Sequence, residues 1–74
     1  MERETIMTVL SAIRKSDAPI SDDALLFEDL GLSSLEMMTA LFRIGDALDI
    51  AIDYAKLAGT RTVGQLIDAI KSMT

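Results

Sequence analysis

Two short segments of the sequence carry the signature of a capped helix start. Ser33-Ser34-Leu35-Glu36 and Thr62-Val63-Gly64-Gln65 each place a hydroxyl residue three positions before Glu or Gln. In such a capping box, each of these two residues binds the backbone N–H of the other with its side chain. Because apolar residues at helical spacing follow both boxes, we predict one helix from Ser33 to about Leu48 and another from Thr62 to the C-terminus.

Apolar residues at three- and four-residue spacing predict two further helical stretches. One covers about residues 2–15, and a short one covers Tyr54–Ala58 and ends at Gly59. Within the second helix, Gly45 is expected to be a weak point that costs about 1 kcal/mol relative to Ala. The predicted core consists of Ile6, Val9, Leu10, Ile13, Leu30, Leu35, Met38, Leu41, Ile44, Leu48, Ile52, Val63, Leu66, Ile67 and Ile70.

A long first loop is predicted over residues 16–33, which are rich in turn formers such as Asp-Ala-Pro at 17–19 and Leu-Gly at 30–31. The same stretch holds too many apolar residues for a free linker, among them Ile20, Leu25, Leu26, Phe27 and Leu30. We therefore expect the loop to pack on the core, with a helical turn near Asp22–Leu26. No alternating strand pattern extends beyond a few residues, so the predicted fold class is all-α.

The composition of the chain excludes several classes of function. A chain of 74 residues fits a single domain over 1–74. It contains no Cys and no His, hence no disulfide, no thiolate and neither the commonest metal ligand nor the commonest neutral-pH base. We expect neither an enzyme nor a metal site. The charged start and the lack of an apolar run of about 18–20 residues predict a cytoplasmic protein without signal peptide or membrane span.

The acidic residues are concentrated in the middle of the chain. Between Asp17 and Asp53 there are nine acidic residues and one basic residue, Arg43, in a protein whose net charge is −5. This pattern disfavours nucleic acid as a partner and favours proteins with a basic docking surface. The alternative is that the acids only keep a small protein soluble. We expect a monomer.

The two adjacent serines differ in what a helix start requires of them. The N-cap side chain of Ser33 turns back to the backbone, whereas Ser34 has no such duty and points outward. A phosphodiester on Ser34 would lie near unpaired N–H groups and the positive end of the helix dipole, an interaction of about 0.3–1 kcal/mol. The alternative is a pair of serines that simply begins a helix.

The segment Leu30-Gly31-Leu32-Ser33-Ser34-Leu35-Glu36 resembles the Leu-Gly-x-Asp-Ser-Leu-Asp/Glu signature of acyl carrier proteins. Asp49-Ile50-x-Ile52 and Thr62-Val63-Gly64 also resemble motifs of that family, in the same order and at the same spacing. From Leu26 to the end the match needs no gap, which is about two-thirds of the chain. The combination is far more specific than any one of the motifs.

This resemblance implies a four-helix bundle with a long first loop and a short third helix. It implies a protein that holds acyl or aminoacyl groups as thioesters on a phosphopantetheine arm attached to Ser34. The thiol would arrive with the arm, so the missing Cys is no obstacle. The implied partners are a phosphopantetheinyl transferase, a ligase that loads the cargo, and synthase enzymes of fatty acid, polyketide or nonribosomal biosynthesis.

Several positions depart from the family pattern. Ser33 stands where the family usually has Asp, and the Pro that often follows Ile52 is absent, so Asp53 is free to begin the third helix. The family tends to have an acidic second helix, whereas this chain keeps only Glu36 and Asp46 there, and several expected polar or acidic positions are replaced by Thr39, Arg43, Gly45 and Ala47. These departures predict a specialised carrier rather than the housekeeping carrier of fatty acid synthesis.

Docking of partners is expected near Ser34. Met37 and Phe42 fit either the core or an exposed apolar docking spot. The candidate docking residues are Leu35, Glu36, Met37, Phe42 and, from the first loop, Asp29.

Two other functions and the extent of the protein remain open at this point. The main rival is a carrier-like interaction module that is not phosphopantetheinylated, which Ser33 in place of Asp favours. A small hydrolase using Ser34 is disfavoured because His and an obvious Lys or Asp partner are missing. The initiating Met favours a free-standing protein over a piece of a larger one.

Overall fold

The chain folds into three α-helices and one short 3-10 helix. The computed structural model describes residues 2–15 and 19–74, so the predicted features at residues 16–18, including the acidic Asp17, lie outside the described residues. The elements are α1 (Glu2–Ile13), α2 (Ser34–Leu48), a 3-10 helix (Tyr54–Leu57) and α3 (Val63–Lys71). None of the helices in these described ranges is long and apolar enough to cross a membrane.

The all-α prediction is confirmed, but the four-helix count is not. The expected third helix is a single 3-10 turn, and the described residues contain no strand beyond an isolated bridge between Leu25 and Thr62. The turn begins where the sequence predicts, because the Asp53 side chain accepts a hydrogen bond from the Ala55 N–H at 3.1 Å. Four residues are too few to continue as an α-helix before Gly59 reverses the backbone at φ 81°.

The core lies where α1 packs against α2 and α3. Apolar residues at helical spacing turn one face of each helix inward, which follows from the 3.6-residue period. The buried residues are Ile6, Leu10, Ala24, Leu26, Leu30, Leu32, Ala40, Leu41, Ile44, Val63, Leu66, Ile67 and Ile70. The predicted core members Val9, Ile13, Leu48 and Ile52 are half-buried at its edge.

The first loop packs on the core, as predicted, and covers the start of α3. Its Leu26 and Leu30 side chains are almost fully buried. Backbone hydrogen bonds join the loop to α3: the Val63 N–H donates to the Ala24 carbonyl at 3.0 Å, and the Gly64 N–H donates to the Asp22 carbonyl at 2.8 Å. Hydrogen-bonded turns flank the helical turn predicted near Asp22–Leu26: the Ala24 N–H donates to the Ser21 carbonyl at 3.0 Å, and the Asp29 N–H donates to the Leu25 carbonyl at 2.9 Å. Between them, the Asp22 and Ala24 carbonyls bind α3 instead.

Two of the predicted core residues on α2 are exposed. Leu35 is 77% exposed and Met38 is 50% exposed, so their assignment to the core was wrong. The inward face of α2 is built instead around Leu41 and Ile44, with Met37 packed against the same cluster.

Gly45 is a point of close packing and not only a weak point. A Cβ at this position would lie 3.0 Å from Ile52 Cγ1 and 3.2 Å from the carbonyl oxygen of Ile50. The chain that leaves α2 therefore folds back against its last turns at the one position without a side chain.

Candidate functional site

Helix α2 begins with a complete capping box. The Glu36 N–H donates to Ser33 Oγ at 3.2 Å, and the Ser33 N–H donates to Glu36 Oε1 at 2.9 Å. Ser33 has the extended backbone of an N-cap residue, with φ −88° and ψ 169°. Its hydroxyl is thus occupied by the helix, as predicted.

Ser34 is the first helical residue, and its side chain is exposed. Its hydroxyl makes no hydrogen bond to any residue that the structure describes. The backbone N–H groups of Ser34 and Leu35 likewise have no acceptor among the described residues. An open hydroxyl beside two unpaired amides at the positive end of a helix suits a group that carries a phosphate.

The loop before the helix fixes Ser34 at the surface. Leu30 and Leu32 are buried on either side of Gly31, whose backbone has a positive φ of 72°. A residue with a side chain is strained in this conformation, so Gly31 makes the turn possible. Because the two leucines are anchored in the core, the following serines emerge into solvent.

The basic side chain of Lys15 reaches this helix start. Lys15 Nζ lies 3.1 Å from Glu36 Oε1, and the Lys15 side chain is mostly exposed. The hydrogen bond from the Ser33 N–H, followed by that from Lys15, holds the pKa of Glu36 below its ordinary value. The carboxylate is therefore ionised at neutral pH.

The other candidate site residues divide between surface and core. Leu35 and Phe42 are 77% and 73% exposed, whereas Met37 is half-buried and packs on the core. Asp29 is exposed, but its Oδ2 accepts the Leu25 N–H at 2.8 Å, so it also shapes the loop.

Sequence reasoning missed Met38 as a surface residue. Leu35, Met38 and Phe42 follow one another at helical spacing on the outside of α2 and are hereafter called the outer stripe. The signal was present, because Met37, Leu41, Ile44 and Leu48 form a second stripe of their own, roughly a third of a turn away. Only one of two apolar stripes on a helix of this small bundle can face the core.

These features define a class of protein. A small helical bundle with a free serine at an open helix start, presented by a glycine turn, is the architecture of a carrier domain. The chain belongs to the family described as "Phosphopantetheine attachment site", whose model matches residues 3–70. Members of this family carry a phosphopantetheine group covalently attached to a serine.

A solved structure supports the same assignment. It is described as "a putative acyl carrier protein" from Mycobacterium tuberculosis, and this chain resembles it with a TM-score of 0.85 and 26% sequence identity. The similarity covers 100% of both chains. A comparison with curated proteins gives no match.

Proposed function

We propose that Ser34 is the residue that receives phosphopantetheine, and that the protein holds acyl or aminoacyl groups as thioesters on this arm and delivers them to partner enzymes. The observation that carries the proposal is the difference between the two serines. Ser33 Oγ accepts the Glu36 N–H, whereas the Ser34 hydroxyl is exposed and has no partner in the described part of the chain. When bound, the arm supplies the thiol that the sequence lacks.

The described residues around Ser34 can bind and orient the phosphate of the arm, but they supply no base for its attachment. Glu36 is the nearest carboxylate in sequence, and both Ser33 and Lys15 engage its Oε1. A transferase must therefore remove the Ser34 proton as the hydroxyl oxygen bonds to the phosphorus of the arm in its coenzyme A donor. The pyrophosphate bond of coenzyme A breaks in the same step, and adenosine bisphosphate leaves. The unpaired amides of Ser34 and Leu35 then face the resulting phosphodiester. This division of labour supports a carrier that is not itself an enzyme.

Intact-mass measurement tests the assignment. The wild type, Ser34→Ala and Ser33→Ala are each co-expressed with a broad-specificity phosphopantetheinyl transferase. We expect the mass increment on the wild type, its complete loss in Ser34→Ala and at least partial labelling of Ser33→Ala. Full labelling of Ser34→Ala would overturn the assignment.

The second candidate is a carrier-like interaction module that is never modified. Ser33 in place of the usual Asp favours it, since a carboxylate beside the attachment position is lost. An unmodified wild type, in a host where a known carrier is fully labelled, would support this candidate.

We further propose that partners dock on the outer stripe, with Glu36 and Asp29 as the acidic rim. Exposed large apolar residues in a row are uncommon on a monomer and mark interaction surfaces. Phe42 is 73% exposed and lies two turns from Ser34, within the same helix face as Leu35. Met37, half-buried beneath, contributes packing more than contact.

The docking proposal is tested by truncating one aromatic residue on the outer stripe and one outside it. Phe42→Ala should lower the rate of transferase labelling or cargo loading with little change in stability. Phe27→Ala, the matched control, lies in the first loop beside Gly59 and Arg61, in a groove away from α2. Equal effects of the two substitutions would contradict docking on the outer stripe.

The surface of α2 also supports a specialised carrier rather than a housekeeping one. Arg43 is exposed on α2, and Thr39 and Ala47 are exposed uncharged residues on a helix that tends to be acidic in this family. Gly45 is buried, so it does not contribute to the docking surface. Loss of several exposed ion pairs, each worth about 0–1 kcal/mol, weakens docking on basic partners.

Fatty acid synthase enzymes provide the test of specialisation. The loaded protein should support slower chain elongation than a housekeeping carrier. Arg43→Glu should raise that rate, whereas Arg61→Glu, an equal charge change near α3, should not. Elongation by the wild type at the housekeeping rate would contradict a restricted set of partners.

A further inference from the structure

Lys15 is held against the segment that presents Ser34. Its backbone N–H donates to the Leu30 carbonyl at 3.0 Å. Its Cβ packs beside Gly31, where a Cβ on the glycine would lie 3.4 Å away, in van der Waals contact. Its ammonium lies 3.1 Å from Glu36 Oε1. The main chain and side chain of Lys15 thus contact positions on both sides of Ser34.

Glu36 does not depend on Lys15 for its place. The Glu36 carboxylate already accepts the Ser33 N–H at 2.9 Å as part of the capping box. The Lys15 side chain is 64% exposed, and an ion pair in that setting is weak. The ammonium can therefore leave Glu36, or share itself with a second anion, without disturbing the helix start.

A modified Ser34 would provide that second anion. A phosphodiester carries a full negative charge, and the amides of Ser34 and Leu35 offer hydrogen bonds but no net positive charge. The adjacent Glu36 carboxylate would repel the phosphate. A basic side chain at this point removes the repulsion and forms a charge-assisted hydrogen bond with the phosphate.

We propose that Lys15 is the counterion of the phosphodiester on Ser34. This inference rests on the proposed attachment at Ser34. On modification the Lys15 ammonium moves from Glu36 alone to a position between Glu36 and a phosphate oxygen. The segment that follows α1 is thereby tied to the start of α2 through the prosthetic group, and modification tightens the junction between the two helices.

The test compares apo and modified forms of the wild type, Lys15→Gln, Lys15→Arg and Lys56→Gln. Lys56, exposed in the 3-10 helix, is the matched control because its substitution removes the same charge. Intact mass first establishes that each variant is fully modified. The readouts are the difference in Tm between modified and apo protein, and the phosphorus chemical shift of the phosphodiester.

We expect modification to raise the Tm of the wild type, Lys15→Arg and Lys56→Gln similarly. In Lys15→Gln the rise should shrink about two-fold or more, since a charge-assisted bond is roughly twice as strong as a neutral one. The phosphorus shift should change in Lys15→Gln and stay unchanged in Lys56→Gln. Salt at about 1 M should reduce the difference between the wild type and Lys15→Gln, because charges are then screened within a few ångströms.

Two results would overturn the inference. One is a fully modified Lys15→Gln whose Tm rise and phosphorus shift match those of the wild type. The other is a wild type whose Tm does not change on modification. An unmodified wild type is distinguishable from both, since it refutes attachment at Ser34 itself and the role of Lys15 with it.

Discussion

Helices α2 and α3 begin with the same capping box but have different surroundings. In both, the N-cap side chain accepts the N–H three residues later, from Glu36 at 3.2 Å and from Gln65 at 3.1 Å. At α3 the next two amides donate to carbonyls of the first loop, and Val63 is fully buried. At α2 the corresponding amides have no acceptor among the described residues, and Ser34 is exposed.

The difference separates a structural helix start from one that is available for chemistry. A capping box satisfies two amides, that of the N-cap residue and that of the residue three positions later, and fixes the first turn in either case. What differs is the first loop, which closes over α3 and leaves α2 open. The side chain at the first helical position is accessible only at α2, where the loop does not cover it.

The largest expected effect comes from exchanging the first helical residues of the two helices. Val63→Ser places a hydroxyl in the core and leaves a small cavity, and should lower the free energy of unfolding by about 2–4 kcal/mol. Ser34→Val affects an exposed position and should change it by less than about 0.5 kcal/mol. Urea denaturation measures both, and similar losses in the two variants would contradict the comparison.

Removing the N-caps should have a smaller effect, and only one of the two removals should affect modification. Ser33→Ala and Thr62→Ala should each destabilise the protein by about 1 kcal/mol. Ser33→Ala should also slow transferase labelling, because the turn that presents Ser34 loosens. Labelling rates are compared at a temperature where both variants are folded. A slowing of equal size in Thr62→Ala would show that general destabilisation is the cause.

Lowering the pH should have the smallest effect on stability, and this effect should differ between the two helix caps. The pKa of Glu36 is lowered in the folded protein, first by the hydrogen bond from the Ser33 N–H. The ionised carboxylate therefore stabilises the α2 cap fully above the ordinary glutamate pKa of about 4.3, and this stabilisation is lost as the pH falls through the lower pKa of the folded state. Gln65 at the α3 cap does not titrate. Hydrogen exchange at the Ser33 amide should therefore gain protection with rising pH in this range, relative to the Thr62 amide.

A Glu36→Gln variant provides the control for this titration, since it keeps an acceptor without the charge. Its Ser33 amide should lose the acid dependence. The pKa of Asp22 is also lowered, through its hydrogen bond with Arg3, so overall stability should still decline towards acid in the variant. Unaltered acid dependence at the Ser33 amide in Glu36→Gln would contradict this account of the cap.

The sequence predicted the parts of the site that depend on local chemistry. Both capping boxes, the outward Ser34 and the turn at Gly31 follow from residue type and spacing over a few positions. The exposure of Leu35 and Met38 could not be predicted in this way. An apolar stripe at helical spacing can face a core or a partner, and only the packing of α1 on the other face of α2 decides between them.

Long-range contacts explain the remaining differences. The first loop was expected to pack on the core, but its carbonyls bind the α3 amides across about forty residues of chain, which no local pattern shows. Likewise, Gly45 has the expected position in α2, yet its role depends on the approach of Ile50 and Ile52. Close contacts of this kind become visible only once the helices are placed.

The most direct test of the account is to locate the prosthetic group on the wild-type protein by fragmentation mass spectrometry. The protein is modified by a phosphopantetheinyl transferase, digested with trypsin, and fragmented by electron transfer so that the phosphodiester survives. The account predicts that N-terminal fragments ending at Ser33 carry no added mass and that those ending at Ser34 carry all of it. Added mass on fragments ending at Ser33 would contradict the division of roles between the two serines.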